Sequence, residues 1–175
     1  MFESRKMKKA FVFDFDDTLA TTDCCVKVLD RRRGGMNKIV DYLTPAEFND
    51  YDLPEGCEFD FSEFRSEKFI HNANPTFLMA LAQEVFRESH CVYVLTARAD
   101  NVTNAIMDFL AGFDVTPVKV FGVGSDDKKV DIAAEKQKVL ATLTQAFDLV
   151  YFYDDSEENC DLARGIGSGI KVYLV

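Results

Sequence analysis

Six residues of this chain have the types and spacing to act together: Asp14 and Asp16 in "KKAFVFDFDDTLA", Thr96 in "VYVLTAR", Lys136 in "AAEKQKVL", and Asp154 with Asp155 in "YFYDD". Residues i and i+2 of an extended chain face the same side, so Asp14 and Asp16 can address one reaction centre. If the four carboxylates meet at one edge, their repulsion has to be relieved. Two like charges about 4 Å apart cost about 4 kcal/mol at an effective dielectric of 20. A divalent cation removes that cost, and an all-oxygen donor set suits Mg²⁺ far better than zinc. A Mg²⁺ with open positions ordinarily meets a phosphate. Thr96 can bring a hydroxyl and the start of a helical turn to such an anion, and Lys136 a cation carried on a helix.

These residues need elements that carry them to one place. "AFVFDF", "CVYVL", "PVKVFGV", "LVYFY" and "IKVYLV" read as strands with near-continuous apolar runs. Between them lie helix-period segments. Phe77, Leu78, Leu81, Val85 and Phe86 share one helical face, with Asn74 and Pro75 as start signal. Val102, Ile106, Phe109 and Leu110 form a second face that ends at Gly112, and Val139, Leu140, Leu143 and Phe147 a third within 131–147. A short helix follows Ser156. Strands alternating with helices predict an α/β domain with a doubly wound, mainly parallel sheet covered on both faces. In such sheets ligands bind just beyond the carboxyl ends of the strands, and Asp14, Asp16, Thr96, Asp154 and Asp155 all follow predicted strands.

Residues 20–73 break the alternation. "CCVKVLDRRRGGMNKIVDYL" predicts a β-hairpin with Gly34 and Gly35 at its tip, and the rest predicts a short helix and an irregular acidic, aromatic stretch. The insert is small for a domain, so 1–175 is expected to be one domain with 20–73 as a small flap or cap over the strand ends. The run Arg31, Arg32, Arg33 at the tip is either a solvated charge cluster or a contact for an extended anionic substrate.

Composition excludes several classes. At 175 residues, 47% hydrophobic and 29% charged, the chain has the material for a packed core. A net charge of -10 argues against broad nonspecific binding of nucleic acid. No stretch reaches the roughly 18 apolar residues of a membrane span, and "FVFDF" meets an Asp too soon for a secretory signal. A soluble, cytoplasmic location is expected, with Met1–Lys6 as a loose extension. The five cysteines show no CxxC spacing, which argues against a disulfide framework or a zinc site. "FGVGSDD" contains GxG but lacks the GK[ST] continuation of a P-loop.

In order, the motifs are acid-x-acid-x-Thr, Thr, Lys and acid pair. That order resembles the haloacid dehalogenase (HAD) superfamily of phosphohydrolases, with "DFDDT" as the first motif, "VYVLT" the second, Lys136 the third and "YFYDD" the fourth. The resemblance covers about residues 8–175 apart from 20–73. It implies a Mg²⁺-dependent phosphomonoesterase in which Asp14 is the nucleophile that forms an aspartyl-phosphate, and Asp16 the general acid and base. It further implies Mg²⁺ held by the Asp14 carboxylate, the Asp16 carbonyl and Asp154, with Asp155 close by, and phosphoryl oxygens held by Thr96 and Lys136. Thr18, Ala97 and Arg98 are the candidate substrate contacts.

Alternatives remain at this level. Lys119, Lys128, Lys129 and Lys138 compete with Lys136, which leads because it lies 18 residues before Asp154 on an amphipathic helix. Arg98 clamps a substrate anion or makes a surface ion pair, and Asn159 orients the acid pair or simply belongs to a helical turn. His71 and His90 share no motif. A response-regulator receiver also uses acids, a Thr and a Lys, but there the acid pair comes early and the Lys late. A protein that keeps the metal site only to bind partners is a further reading, and "LTAR" with "DD" also resembles the phosphatase half of polynucleotide kinases, which would make the substrate a nucleic-acid 3′-phosphate. Phosphoproteins and nucleotides are open as well, and the oligomeric state is undetermined.

Overall fold

The computed structural model describes residues 7–32, 38–49, 51–125 and 130–175. Its strands are β1 (Lys9–Phe13), β2 (Ala20–Thr21), β3 (Val26–Asp30), β4 (Lys38–Leu43), β5 (Cys57–Asp60), β6 (Asn74–Pro75), β7 (Cys91–Ala99), β8 (Lys119–Gly124), β9 (Leu149–Asp154) and β10 (Ile170–Leu174). The helices are α1 (Pro45–Asn49), α2 (Glu67–His71), α3 (Leu78–Arg87), α4 (Thr103–Ala111), α5 (Ile132–Ala146) and α6 (Glu157–Arg164). The expected hairpin tip at Gly34 and Gly35, together with Arg33, Lys128, Lys129 and residues 1–6, lies outside the described residues.

Five parallel strands form the central sheet in the order β10-β9-β1-β7-β8, the doubly wound α/β class that the alternation predicts. β1 is apolar on both sides because both are covered. Phe11 and Phe13 pack with Val85, Ile106 and Leu110 from α3 and α4, while Ala10 and Val12 pack with Leu140, Leu143 and Ala163 from α5 and α6. The chain builds outward from β1 to β7 and β8, then returns to place β9 on the other side of β1. This reversal opens a crevice beyond the carboxyl ends of β1 and β9. Phe13 is in register with Tyr153, and the Asp14 amide donates to the Tyr153 carbonyl at 2.9 Å, so Asp14 and Asp154 come level at the mouth of that crevice.

β7 runs past Leu95, the last residue of the predicted strand, to Ala99, and its register with β8 slips between Thr96 and Ala99. Glycines make this possible. A Cβ on Gly124 would lie 2.1 Å from the Ala97 carbonyl oxygen, and one on Gly122 would lie 2.9 Å from Ala99. The GxG in "FGVGSDD" therefore lets the backbones of β7 and β8 approach closely.

The insert leaves and re-enters through the antiparallel pair β2–β6, with Ala20 opposite Pro75 and Thr21 opposite Asn74. β3 pairs with β4 as the hairpin reading predicts, and also with β5, which falls in the stretch expected to be irregular. β5 is only four residues long and half-buried throughout, so it has no apolar alternation to announce it. The resulting three-stranded sheet has its own small core of Val26, Val28 and Leu43 with Phe48, Tyr51, Phe59 and Phe64. Phe77 departs from expectation: it is 81% exposed, because it is the N-cap ahead of α3, which starts at Leu78, and is not part of the helix's buried set of Leu78, Met79, Ala82 and Val85. Asn74 and Pro75 form β6, and the Leu78 amide is capped by the Thr76 hydroxyl at 3.2 Å. Each of the five cysteines is a free thiol. Among the described residues no helix is long and apolar enough to cross a membrane.

Candidate active site

The first motif is a tight turn at the end of β1. The amides of Leu19 and Ala20 both donate to the Phe15 carbonyl at 3.0 Å, and the Asp17 amide donates to Ala20 at 2.8 Å. Asp17 sits at the apex in the left-handed region (φ 57), which acidic and amide side chains tolerate better than most. Burial and the adjacent Asp16 raise the pKa of its carboxyl.

Lys136 organises the acids. Asp131 caps α5 by accepting the Ala134 amide at 3.0 Å, and one turn later Lys136 projects inward, 2% exposed. Its ammonium donates to Asp14 Oδ1 at 2.6 Å and to Asp154 Oδ2 at 2.7 Å, so two carboxylates from adjacent strands converge on one point. Desolvation alone would discharge this lysine, but Asp14 and Asp154 overcome it and hold its pKa above the usual value. Asp14 shows the reverse balance. Burial, reinforced by Asp154 and Asp16, lifts its pKa well above the ordinary carboxylate range against the pull of Lys136. A signal for this lysine was present in the sequence, since Lys136 lies on the same helical face as the buried Ala133 and Leu140. Lys138 is off that face and pairs with Glu135, and Lys119 is exposed at the start of β8.

Asp154 is fully enclosed and held from α6. Asn159 donates to both of its oxygens, at 3.0 and 3.2 Å, and the Ser156 amide donates to Oδ1 at 2.9 Å. Asn159 thus orients the acid as well as belonging to the first turn of α6. The side chain of Asp155 reaches solvent, yet the surrounding protein and Asp154 push its pKa up to about 6.

The remaining candidates are placed differently from one another. Thr96 is fully buried at the bend of β7, and its hydroxyl accepts from the Arg98 amide at 3.1 Å. Ala97 is exposed. Thr18 is fully buried, its carbonyl accepts from the Thr76 hydroxyl, and its own Oγ1 is the buried side-chain oxygen left without a hydrogen-bond partner among the described residues. Arg98 is buried and makes an ion pair with Asp16 rather than with a surface acid, through Nη2–Oδ1 at 2.7 Å and Nε–Oδ2 at 2.8 Å. In the insert, Arg31 pairs with Glu58 and Arg32 with Asp30. His71 is exposed at the end of α2, and His90 packs on Phe11. A cavity of about 400 Å³ opens beside the turn, lined by Asp17, Thr22, Asp23, Cys24, Cys25, Thr44 and Pro45.

The donors present fit Mg²⁺. Among the described residues no three His, Cys, Asp or Glu side chains gather as a ligand cluster. Mg²⁺ nevertheless needs only one or two carboxylates, its other positions going to carbonyls, water and phosphate. Asp14 and Asp154 supply two all-oxygen ligands already aimed at one point. The Asp16 carboxylate is taken by Arg98, which leaves its carbonyl as the donor from that residue.

No family model and no curated protein sequence matches this chain. Solved structures do. A chain of the Pnkp1/Rnl/Hen1 RNA repair complex superposes with a TM-score of 0.60 at 13% identity, over 97% of this chain and 43% of that one. A second structure of the complex gives 0.59 at 14%, over 95% and 46%. The likeness is one of fold. This chain spans less than half the length of the repair-complex chains it matches. A HAD family enzyme of Bacteroides thetaiotaomicron, solved as a magnesium complex, matches at a TM-score of 0.48 and 19% identity, over 96% of this chain and 93% of that one.

Proposed function

We propose that this protein is a Mg²⁺-dependent phosphomonoesterase that works through an aspartyl-phosphate on Asp14. The observation that carries the reading is the convergence of Asp14 and Asp154 on one buried cation at the switch point of the sheet, with Asp16 two residues along. Mg²⁺, held by Asp14, the Asp16 carbonyl and Asp154 with Asp155 nearby, supplies positive charge against the phosphoryl oxygens. An Asp14 oxygen attacks phosphorus while the ester P–O bond breaks, and Asp16 gives its proton to the departing oxygen. Asp16 then takes a proton from water, whose oxygen attacks the same phosphorus and releases phosphate and the Asp14 carboxylate. Lys136 pairs with Asp14 and Asp154 and, with the Thr96 hydroxyl, offsets charge on the transferring group.

The test is phosphate release from a panel of metabolite phosphates, nucleotides, phosphopeptides and p-nitrophenyl phosphate. Turnover is expected with Mg²⁺ and not with EDTA, and Asp14→Asn should abolish it. Equal rates in EDTA, or a tenth of wild-type kcat in folded Asp14→Asn, would overturn the reading. The panel includes 3′-phosphorylated oligonucleotides, because the fold recurs in an RNA repair complex and the "LTAR" and "DD" motifs resemble polynucleotide phosphatases.

A further inference from the structure

Arg98 is among the largest fully buried side chains of the described residues, and its side-chain hydrogen bonds go to Asp16 and to residues of the insert. Nε and Nη2 grip the two oxygens of Asp16 at 2.8 and 2.7 Å, the two-pronged geometry in which a guanidinium fixes both the position and the plane of a carboxylate. Nη1 donates to the Phe64 carbonyl of the flap at 2.8 Å, and Nη2 also reaches the Thr22 hydroxyl at 3.1 Å and Cys24 Sγ at 3.3 Å. Its Cζ lies 5.2 Å from the centroid of the Phe64 ring and 5.8 Å from that of Phe15. Asn101, three residues on, donates to the neighbouring Arg65 carbonyl at 3.3 Å. Glu63 in the same flap turn accepts the Cys25 amide at 2.9 Å.

We propose that Arg98 is the positioning residue for Asp16 and that it ties this alignment to the seating of the flap. The proposal deepens the phosphatase reading and rests on it for the role of Asp16. Burial of an arginine is costly unless its charge is matched, and here the match is one carboxylate, itself bonded to Thr22 at 3.1 Å. The Arg98 side chain is 1% exposed and that of Asp16 20%, so the fork holds the carboxylate from the protein side and leaves part of it accessible. A carboxylate that must give a proton to one oxygen and later take one from another needs its plane held through both steps. A single charge would not hold that plane, but a fork does. Because the same guanidinium holds the Phe64 carbonyl, an unseated flap removes a restraint from Asp16. The flap thereby controls the acid without touching the phosphate.

The test uses Arg98→Lys, which keeps the charge and loses the fork, and compares kcat/KM on an alkyl phosphate with kcat/KM on p-nitrophenyl phosphate. This ratio reports the steps up to loss of the alcohol, where an alkoxide needs the Asp16 proton and p-nitrophenolate does not. Well-placed general acids contribute about 10²- to 10⁴-fold, so a fall of roughly 100-fold on the alkyl ester with less than about 5-fold on the aryl ester is expected. Equal losses on both would mean that Arg98 only supports the fold and would overturn the proposal. Thr22→Val, which removes the hydroxyl bonded to both partners, should show the same selectivity at smaller size and serves if the lysine variant does not fold. Hydrogen exchange of amides 61–66, measured without substrate, should quicken in Arg98→Lys, and unchanged protection would overturn the tie to the flap. If wild type hydrolyses no phosphate ester, the phosphatase reading and the acid-positioning role fall with it, while the exchange measurement still decides whether Arg98 seats the flap.

Discussion

Replacing Lys136 with Met removes the cation that holds two buried acids together, and its cost can be worked from the site. Asp14 Oδ1 and Asp154 Oδ2 lie 2.6 and 2.7 Å from the same nitrogen, which sets the two oxygens at most about 5 Å apart. At an effective dielectric of 20 their repulsion is about 3 kcal/mol, in line with the roughly 3 to 5 kcal/mol lost when one partner of a buried pair is deleted. The raised pKa of Lys136 sets the sign: the stabilisation is fully present below its ordinary value of about 10.4, so at pH 7 all of it is lost on substitution. Urea unfolding in EDTA at pH 7 should therefore show a loss of about 3 to 5 kcal/mol. At pH 5 the loss should shrink, because Asp14, whose pKa is already lifted by burial, takes up a proton once the ammonium is gone. Mg²⁺ at 100 times its dissociation constant should restore about 2.7 kcal/mol. A loss under about 1 kcal/mol that is the same at both pH values and indifferent to Mg²⁺ would refute the assignment of Lys136 as the neutralising cation.

Three further outcomes are expected. Asn159→Ala removes both side-chain bonds to Asp154 and should weaken Mg²⁺ binding about 10- to 100-fold by calorimetry while kcat at saturating metal changes less. The carboxyls of Asp14 and Asp155 have folded pKa values above the usual range, about 6 for Asp155, so the folded state holds more protons than the unfolded one between about pH 4 and 6. Metal-free stability should then fall as pH rises through that window, read as a decreasing Tm, and saturating Mg²⁺ should flatten the slope. Gly124→Ala places a Cβ 2.1 Å from the Ala97 carbonyl and should destabilise by at least about 2 kcal/mol on denaturant titration, displacing the end of β7 that carries Arg98.

Much of the architecture was legible in the sequence because its signals are local. An apolar run that stops on Asp14 or Asp154 marks both a buried strand and its carboxyl end, and helical spacing of Ile106, Phe109 and Leu110 marks a face that must be covered. Where a signal depended on an element's boundary it failed: Phe77 fits the helical spacing but precedes the helix, and β5 is too short and too evenly half-buried to alternate.

The sequence by itself therefore determined the sheet, the strand-end acids and the residue types that could meet there. Tertiary structure decided which of them meet. Lys136 reaches Asp14 across 122 residues because β9 returns to the side of β1, a choice of strand order that no local pattern carries. Arg98 finds Asp16 across 82 residues and the Phe64 carbonyl across 34. A backbone carbonyl has no sequence signature, since every residue has one. Only the packing of residues 61–66 against the end of β7 brings Arg98 to the Phe64 carbonyl while it holds Asp16.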